Sequence, residues 1–346
     1  MVSVNYMDLE KLYYEVENYI KTVDFSGLWR GFEPLNFALY TDRECFFNGK
    51  YIEKTDDFLA NTSILYNGEW IAIWHVQEEI DPIVLSSKII HEMFHGFQQQ
   101  HNEPRFVDEL EALYKYKYIE ENLSLKLKEN RLLYSLLTEF DKNIFEEFLQ
   151  IRKQRSESFR YEYHYESCIE QIEGAANYVE LNCLKQLSEN LFREKLSAMS
   201  MRIIDQNNLI PIRIICYDIG ALLLFVMSEN DIAFEYGFSD ITFSEDILNG
   251  VTGKMCIPEL RTKELIASFN KRLDEIITNA IKKNDIVYEK SCELLGVNVY
   301  NAIYYNNHII SRYFVMFGAE DSSNIEYGDF VIETSVYKTV TKIYRI

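Results

Sequence analysis

SSKIIHEMFHGFQQQHNEP, residues 86–104, holds two histidines four positions apart, His91 and His95, with Glu92 directly after the first. At helical spacing Lys88, His91, His95 and Gln98 share one face, and Ile83, Ile90, Phe94 and Phe97 share another. Asp81-Pro82 reads as an N-cap followed by proline at the first helical position, and Pro104 as the end of the helix. The flanking Ile89, Ile90, Met93, Phe94 and Phe97 predict burial. A buried helix does not carry two histidines and a glutamate without partners.

Two histidines so spaced can both reach one metal ion at about 2.0–2.1 Å, with the intervening glutamate beside the open coordination position. This is the pattern HExxH: a zinc ion would lower the pKa of a bound water, and Glu92 would take the water's proton. The competing reading is a half-buried helix with a chance five-residue match. Three protein ligands are needed, and two candidates stand for the third. His101 has the spacing of the pattern HExxHxxGxxH. That pattern requires a glycine where this chain has Gln98, and Gly96 stands two positions early, where it would break the helix. The other candidate lies in ESCIEQIEGAANYVELN, residues 166–182. There Glu166, Glu170, Glu173, Asn177 and Glu180 share a helical face opposite Ile169, Ile172, Ala176, Val179 and Cys183. Such a carboxylate stripe is either solvated or holds something positive. Gly174, followed by two alanines, permits close approach of another helix and costs about 1 kcal/mol in helix propensity, which suggests a packing or functional reason for it.

Across its 346 residues the chain carries a net charge of −20, which argues against nucleic acid or an anionic membrane surface as the main partner. Six well-separated cysteines without CxxC spacing, and an acidic N-terminal stretch where a leader would be basic then apolar, predict reduced thiols in a cytoplasm. The longest apolar run, IRIICYDIGALLLFVM, is interrupted by Arg213 and Asp218 and is too short for a comfortable membrane span. Helical periodicity covers residues 4–22, and a strand-rich stretch from about 35 to 78 contains the Asn-Gly turns of FFNGKYI and ILYNGEWIAIW, predicting an antiparallel meander. The following text is helical: a pair over 106–158, a long helix over 162–200 and another over 211–229, then helices from 258 to about 295 and strands. YYNNHII, residues 304–310, reads as a hairpin turn.

HEMFHGFQ followed by EGAANYVE resembles the gluzincin class of zinc metallopeptidases, in which HExxH supplies two histidines and a later helix a glutamate, often in the context EGxAxY. The likeness covers residues 64–230 and is similar in layout to bacterial gluzincin-like proteins. It implies Glu173 as third ligand, 78 positions after His95, with the 106–158 pair as an insertion. CYDIGALLLFVM, residues 216–227, is similar to a YxxG segment of that class and implies Tyr217 as the donor to the oxyanion, ahead of Tyr178 and His164. The strand GEWIAIWHV, residues 68–76, has two readings: the cleft's upper rim, as an edge strand that pairs with an extended peptide, or an interior strand with no ligand role.

The expectation is therefore an α+β protein with a zincin-like catalytic core. An N-terminal helix and antiparallel sheet (1–80) and a helical zinc-binding part (81–240) would form the catalytic unit, followed by C-terminal helices and antiparallel strands (241–346). The expected function is zinc-dependent hydrolysis of a peptide or protein, with His91, His95 and Glu173 on zinc, Glu92 as base and Tyr217 as electrophile. Its rivals are a non-catalytic binding protein on the same core, and a metzincin-like protease using His101.

Overall fold

The computed structural model describes residues 8–346 apart from 254, 258, 320 and 321. The predicted helix start at 4–7 and the helix start at Pro258 fall outside the described residues. The fold is α+β. Helix α1 (Leu9–Ile20), capped by the Asp8 side chain, precedes a five-stranded sheet of β1 (Asn36–Tyr40), β2 (Cys45–Phe47), β3 (Lys50–Ile52), β4 (Thr62–Tyr66) and β5 (Glu69–His75). Both Asn-Gly pairs form the hairpin turns expected of them, with positive φ at Asn48, Gly49, Asn67 and Gly68.

The sheet is not a pure antiparallel meander. Its order is β3-β2-β1-β5-β4, and β1 runs parallel to β5, with Ala38 opposite Ile73. The hairpins are local and were legible; the pairing of β1 with β5 joins residues more than thirty apart and follows from burying Ile71, Ala72 and Ile73 between two neighbours. Of the two readings of GEWIAIWHV the interior one holds: β5 lies between β1 and β4, and β4 is the edge strand on that side.

Helix α2 (Pro82–Gln100) lies across this sheet. Asp81 accepts from the amides of Ile83 and Val84, as its position before Pro82 predicted. The helix runs unbroken through Gly96, and the reason is contact rather than flexibility. A Cβ there would stand 2.6 Å from Leu35 Cδ1 and 3.1 Å from Ser63 Oγ, so glycine is what lets the edge strand reach the helix.

The helical region continues with α3 (Glu109–Lys115), α4 (Glu120–Thr138) and α5 (Lys142–Ser158). The single long helix expected over 162–200 is three segments: α6 (Arg160–Ile169), which passes through a π-helical turn at Glu170–Gly174 into α7 (Ala175–Leu187), and, after a break capped by Ser188, α8 (Glu189–Ile204). Helix α9 (Ile212–Glu229) crosses the π turn with almost no space between backbones. A Cβ on Gly174 would sit 2.7 Å from Gly220 Cα, and one on Gly220 would sit 2.6 Å from the Glu170 carbonyl oxygen.

The π turn divides the expected carboxylate stripe. Glu166 and Glu170 enter a wholly buried cluster with Glu129, Lys126, Arg152 and Arg155, three charges of each sign at contacts of 2.5–3.2 Å. Burial works against the Glu129 charge, but its partners prevail: Lys126, Arg152 and Arg155 hold it down at about 2. The stripe therefore holds positive groups rather than facing solvent, and α4 and α5 are fastened to the π-turn segment through it.

Two more helices, α10 (Phe243–Asp246) and α11 (Lys263–Lys283), lead to the C-terminal strands; α11 ends at Asn284 in the left-handed conformation, short of the expected 295. Strands β6 (Ile286–Tyr288), β7 (Cys292–Val297), β8 (Ile303–Tyr305), β9 (His308–Ser311), β10 (Phe314–Ala319), β11 (Ser322–Tyr327), β12 (Phe330–Val336) and β13 (Thr339–Arg345) form an antiparallel sheet in the order β11-β10-β7-β13-β12-β9-β8, with β6 beside β13. The YYNNHII turn is the β8–β9 hairpin, with positive φ at Asn306 and Asn307. All six cysteines are unpaired, and among the described residues no helix is long and apolar enough to cross a membrane.

Gly220→Ala forces the α9 backbone away from Glu170, an overpacking that costs about 1–3 kcal/mol. A urea unfolding curve should show a lower midpoint with an unchanged slope.

Candidate metal centre

His91 and His95 lie one above the other on α2, ring centroids 4.8 Å apart, and their Nε2 atoms converge to 3.1 Å. Glu173, carried in by the π turn, places Oε2 3.4 Å from His95 Nε2. Ligands about 2.0–2.1 Å from a tetrahedral ion stand about 3.3 Å from each other, and the His91–His95 and His95–Glu173 separations are compatible with that spacing. The tight group, with donor atoms all within 4.8 Å of one another, is His91, Glu92 and His95; Glu173 adjoins it through His95. All four line a cleft of about 290 Å³. Two imidazoles and a carboxylate are the donors a catalytic zinc takes, so the residues present fit the ion.

Outer contacts orient the rings. Gln98 Nε2 donates to the Ile172 carbonyl at 3.0 Å, which turns Gln98 Oε1 toward His95 to accept from Nδ1 at 2.8 Å. With its proton so held on Nδ1, neutral His95 offers Nε2 to the cleft. His91 Nδ1 faces Glu180 Oε2 at 3.4 Å, a charge contact not aligned as a hydrogen bond, and Lys195 pairs with the other oxygen of Glu180. Against burial, Lys195 and then His91 hold the Glu180 carboxyl well below its usual range. Neither Gln98 nor Glu180 was assigned a role from sequence. Gln98 follows His95 by three, and Glu180 follows Glu173 by seven, so each lay on the right face without a visible partner.

Glu173 is held from the far side by Arg213, whose Nη2 donates to Oε1 at 3.1 Å while Nη1 lies 3.1 Å from Glu109. The Arg213 guanidinium stands 5.3 Å from the Tyr217 ring and 5.1 Å from the Tyr300 ring. Tyr217 faces the cleft one turn after Arg213 on α9, and its hydroxyl is buried with no hydrogen-bond partner. Burial, and then Glu173, push this phenol far above its ordinary value, so it remains a neutral donor. Tyr300, from the loop between β7 and β8, brings the C-terminal region to the same cleft.

No family model, curated protein or solved structure matches this chain. The site therefore rests on its own geometry. His101 lies outside the cleft: it ends α2, stacks on Phe238 at 4.6 Å and donates from Nδ1 to the Phe97 carbonyl. Tyr178 is buried among Trp29 and Phe234, and His164 opens onto a different hollow.

Burial disfavours a charged His95, but Glu173 and then Glu92 outweigh it and raise the imidazole to about 9. Conversely, burial disfavours ionised Glu173, and His95 followed by Arg213 brings it down to about 2. In the metal-free chain the stability supplied through His95 is complete below 6.5 and fades as pH rises through about 9. That supplied through Glu173 is present above 4.5 and is lost as pH falls toward 2. A histidine NMR titration of chelator-treated protein should show His95 near 9, and Glu173→Gln should return it to about 6.5 or below.

Proposed function

We propose that the chain is a zinc-dependent hydrolase acting on peptide bonds. The observation that carries this reading is the convergence of His91 Nε2 and His95 Nε2 at 3.1 Å in one group with Glu92, with Glu173 adjoining through His95 at 3.4 Å. His91, His95 and Glu173 would hold the zinc, which when bound supplies a Lewis acid that polarises a carbonyl and acidifies water.

The chain's own groups do the rest. Glu92, from its place between the histidines, takes the proton of the attacking water and returns it to the leaving amine. Its backbone is steadied by Ser63, whose hydroxyl donates to the Glu92 carbonyl oxygen. The Tyr217 hydroxyl, having no partner of its own, donates to the carbonyl oxygen as negative charge grows there. Arg213 keeps Glu173 ionised and positioned.

An extended peptide suits the cleft because Asn61, Thr62 and Ser63, at the start of edge strand β4, form one of its walls. Among the described residues no strand pairs with the outer backbone edge of β4, which can accept a substrate strand.

Protein purified without chelator should contain about one equivalent of zinc, and His91→Ala should lose it. Less than about half an equivalent, unchanged in that variant, counts against the proposal. Glu92→Gln should keep the metal and lose hydrolysis of a mixed peptide library; if zinc stays and wild type hydrolyses nothing, the chain is a binding protein. Tyr217→Phe should lower kcat by about 10²–10³ with zinc content unchanged.

A further inference from the structure

A second group of reactive side chains lies outside the metal cleft. On α6, Cys168 follows His164 by one turn, and Cys168 Sγ lies 3.7 Å from His164 Nε2. His164 Nδ1 lies 2.8 Å from Glu245 Oε1. Glu245 is itself fixed, because its other oxygen accepts from the Thr242 amide and hydroxyl in a capping box at the start of α10. The order thiol, imidazole, carboxylate is that of a nucleophile, its base and the group that orients the base. Cys168 and His164 line a hollow of about 430 Å³ with Tyr161, Tyr165, Pro104 and Asp240.

We infer that Cys168, His164 and Glu245 form a peroxide-reactive thiol site, in which Cys168 is oxidised to a sulfenic acid. The inference does not depend on the metal-site reading. Hydrogen bonding to Cys168 and then to Glu245 raises the His164 imidazole to about 10, so at neutral pH it is an imidazolium whose Nε2–H faces the sulfur. Cys168 is itself buried, at 2% exposure, and differs from Cys45, Cys183 and Cys216 in having an imidazole beside it on a hollow; burial, ahead of any neighbouring charge, pushes Cys45 up to about 12 and raises Cys183 and Cys216 further.

The surroundings select the electrophile. Cys168 sits within a continuous helix, so its own amide is engaged and offers no donor to the oxyanion that acyl transfer would create. Asp108, Glu111 and Asp240 on the hollow oppose anionic oxidants. A neutral hydroperoxide needs only the thiolate and a proton for its leaving group. The sulfur of Cys168, as a thiolate facing the His164 imidazolium, attacks one peroxide oxygen with an electron pair. The O–O bond breaks, and the departing oxygen takes the proton from His164 to leave as water or an alcohol. Sulfur loses two electrons and the peroxide gains them. Among the described residues no second cysteine lines the hollow, so the sulfenic acid persists long enough to be trapped.

The test treats the full chain with hydrogen peroxide in the presence of dimedone and measures adducts at all six cysteines by peptide mass spectrometry. Cys168 should be labelled ahead of Cys45, Cys183 and Cys216. His164→Gln should slow that labelling by about tenfold or more, and Glu245→Gln by a smaller factor. The buried Cys183 and Cys216 report unfolding, since a variant that fails to fold labels them as well; in that case the comparison is made with Glu245→Gln. Labelling of Cys168 no faster than that of Cys45, Cys183 and Cys216, or an unchanged rate in folded His164→Gln, overturns the inference.

Discussion

The contact of Gly174 with Gly220 is the constraint on which the arrangement of the site depends. Two helical backbones touch there without side chains between them. The π turn of Glu170–Gly174 lies at this crossing, and the i to i+5 bonding of such a turn spreads residues that an α-helix would stack on one face. Glu170 is thereby directed to Arg152 and Lys126, and Glu173 to His95 and Arg213. A side chain at either glycine would separate α9 from this segment and move Arg213 and Tyr217 together with it.

The buried charge cluster has a matching role on the other side. Its six groups are balanced in number, and each is satisfied by two or more partners, which is the condition under which charges can be kept out of water. Loss of any one leaves an uncompensated charge beside the π turn. The region between α2 and α6 is thus more than a surface addition; Lys126 of α4, and Arg152 and Arg155 of α5, grip the segment that carries Glu173.

Much of the candidate site was legible because its first elements are local. The spacing of His91, Glu92 and His95, the apolar flanks that bury them, and the Asp81-Pro82 helix start all lie within about twenty residues. Tyr217, expected from a short likeness, does reach the cleft. What escaped reading joins distant parts of the chain. Gln98 and Glu180 have meaning only once Ile172 and His91 stand opposite them. The parallel β1–β5 pair could not be foreseen from hairpins, and its formation puts β5 inside the sheet with β4 at the edge. The acidic stripe was a correct face on an ideal helix, but the real helix changes its winding in the middle of it.

Tyr300 gives the cleft a dependence on time. The two histidines, Glu92, Glu173 and Tyr217 belong to the first 217 residues, whereas the wall beside Arg213 comes from a loop of the later sheet. During synthesis the donors can therefore assemble on an unfinished molecule whose cleft is still open on one side. Closure of that side waits for the last hundred or so residues to leave the ribosome and fold. The order of translation separates the gathering of these side chains from completion of the cleft around them.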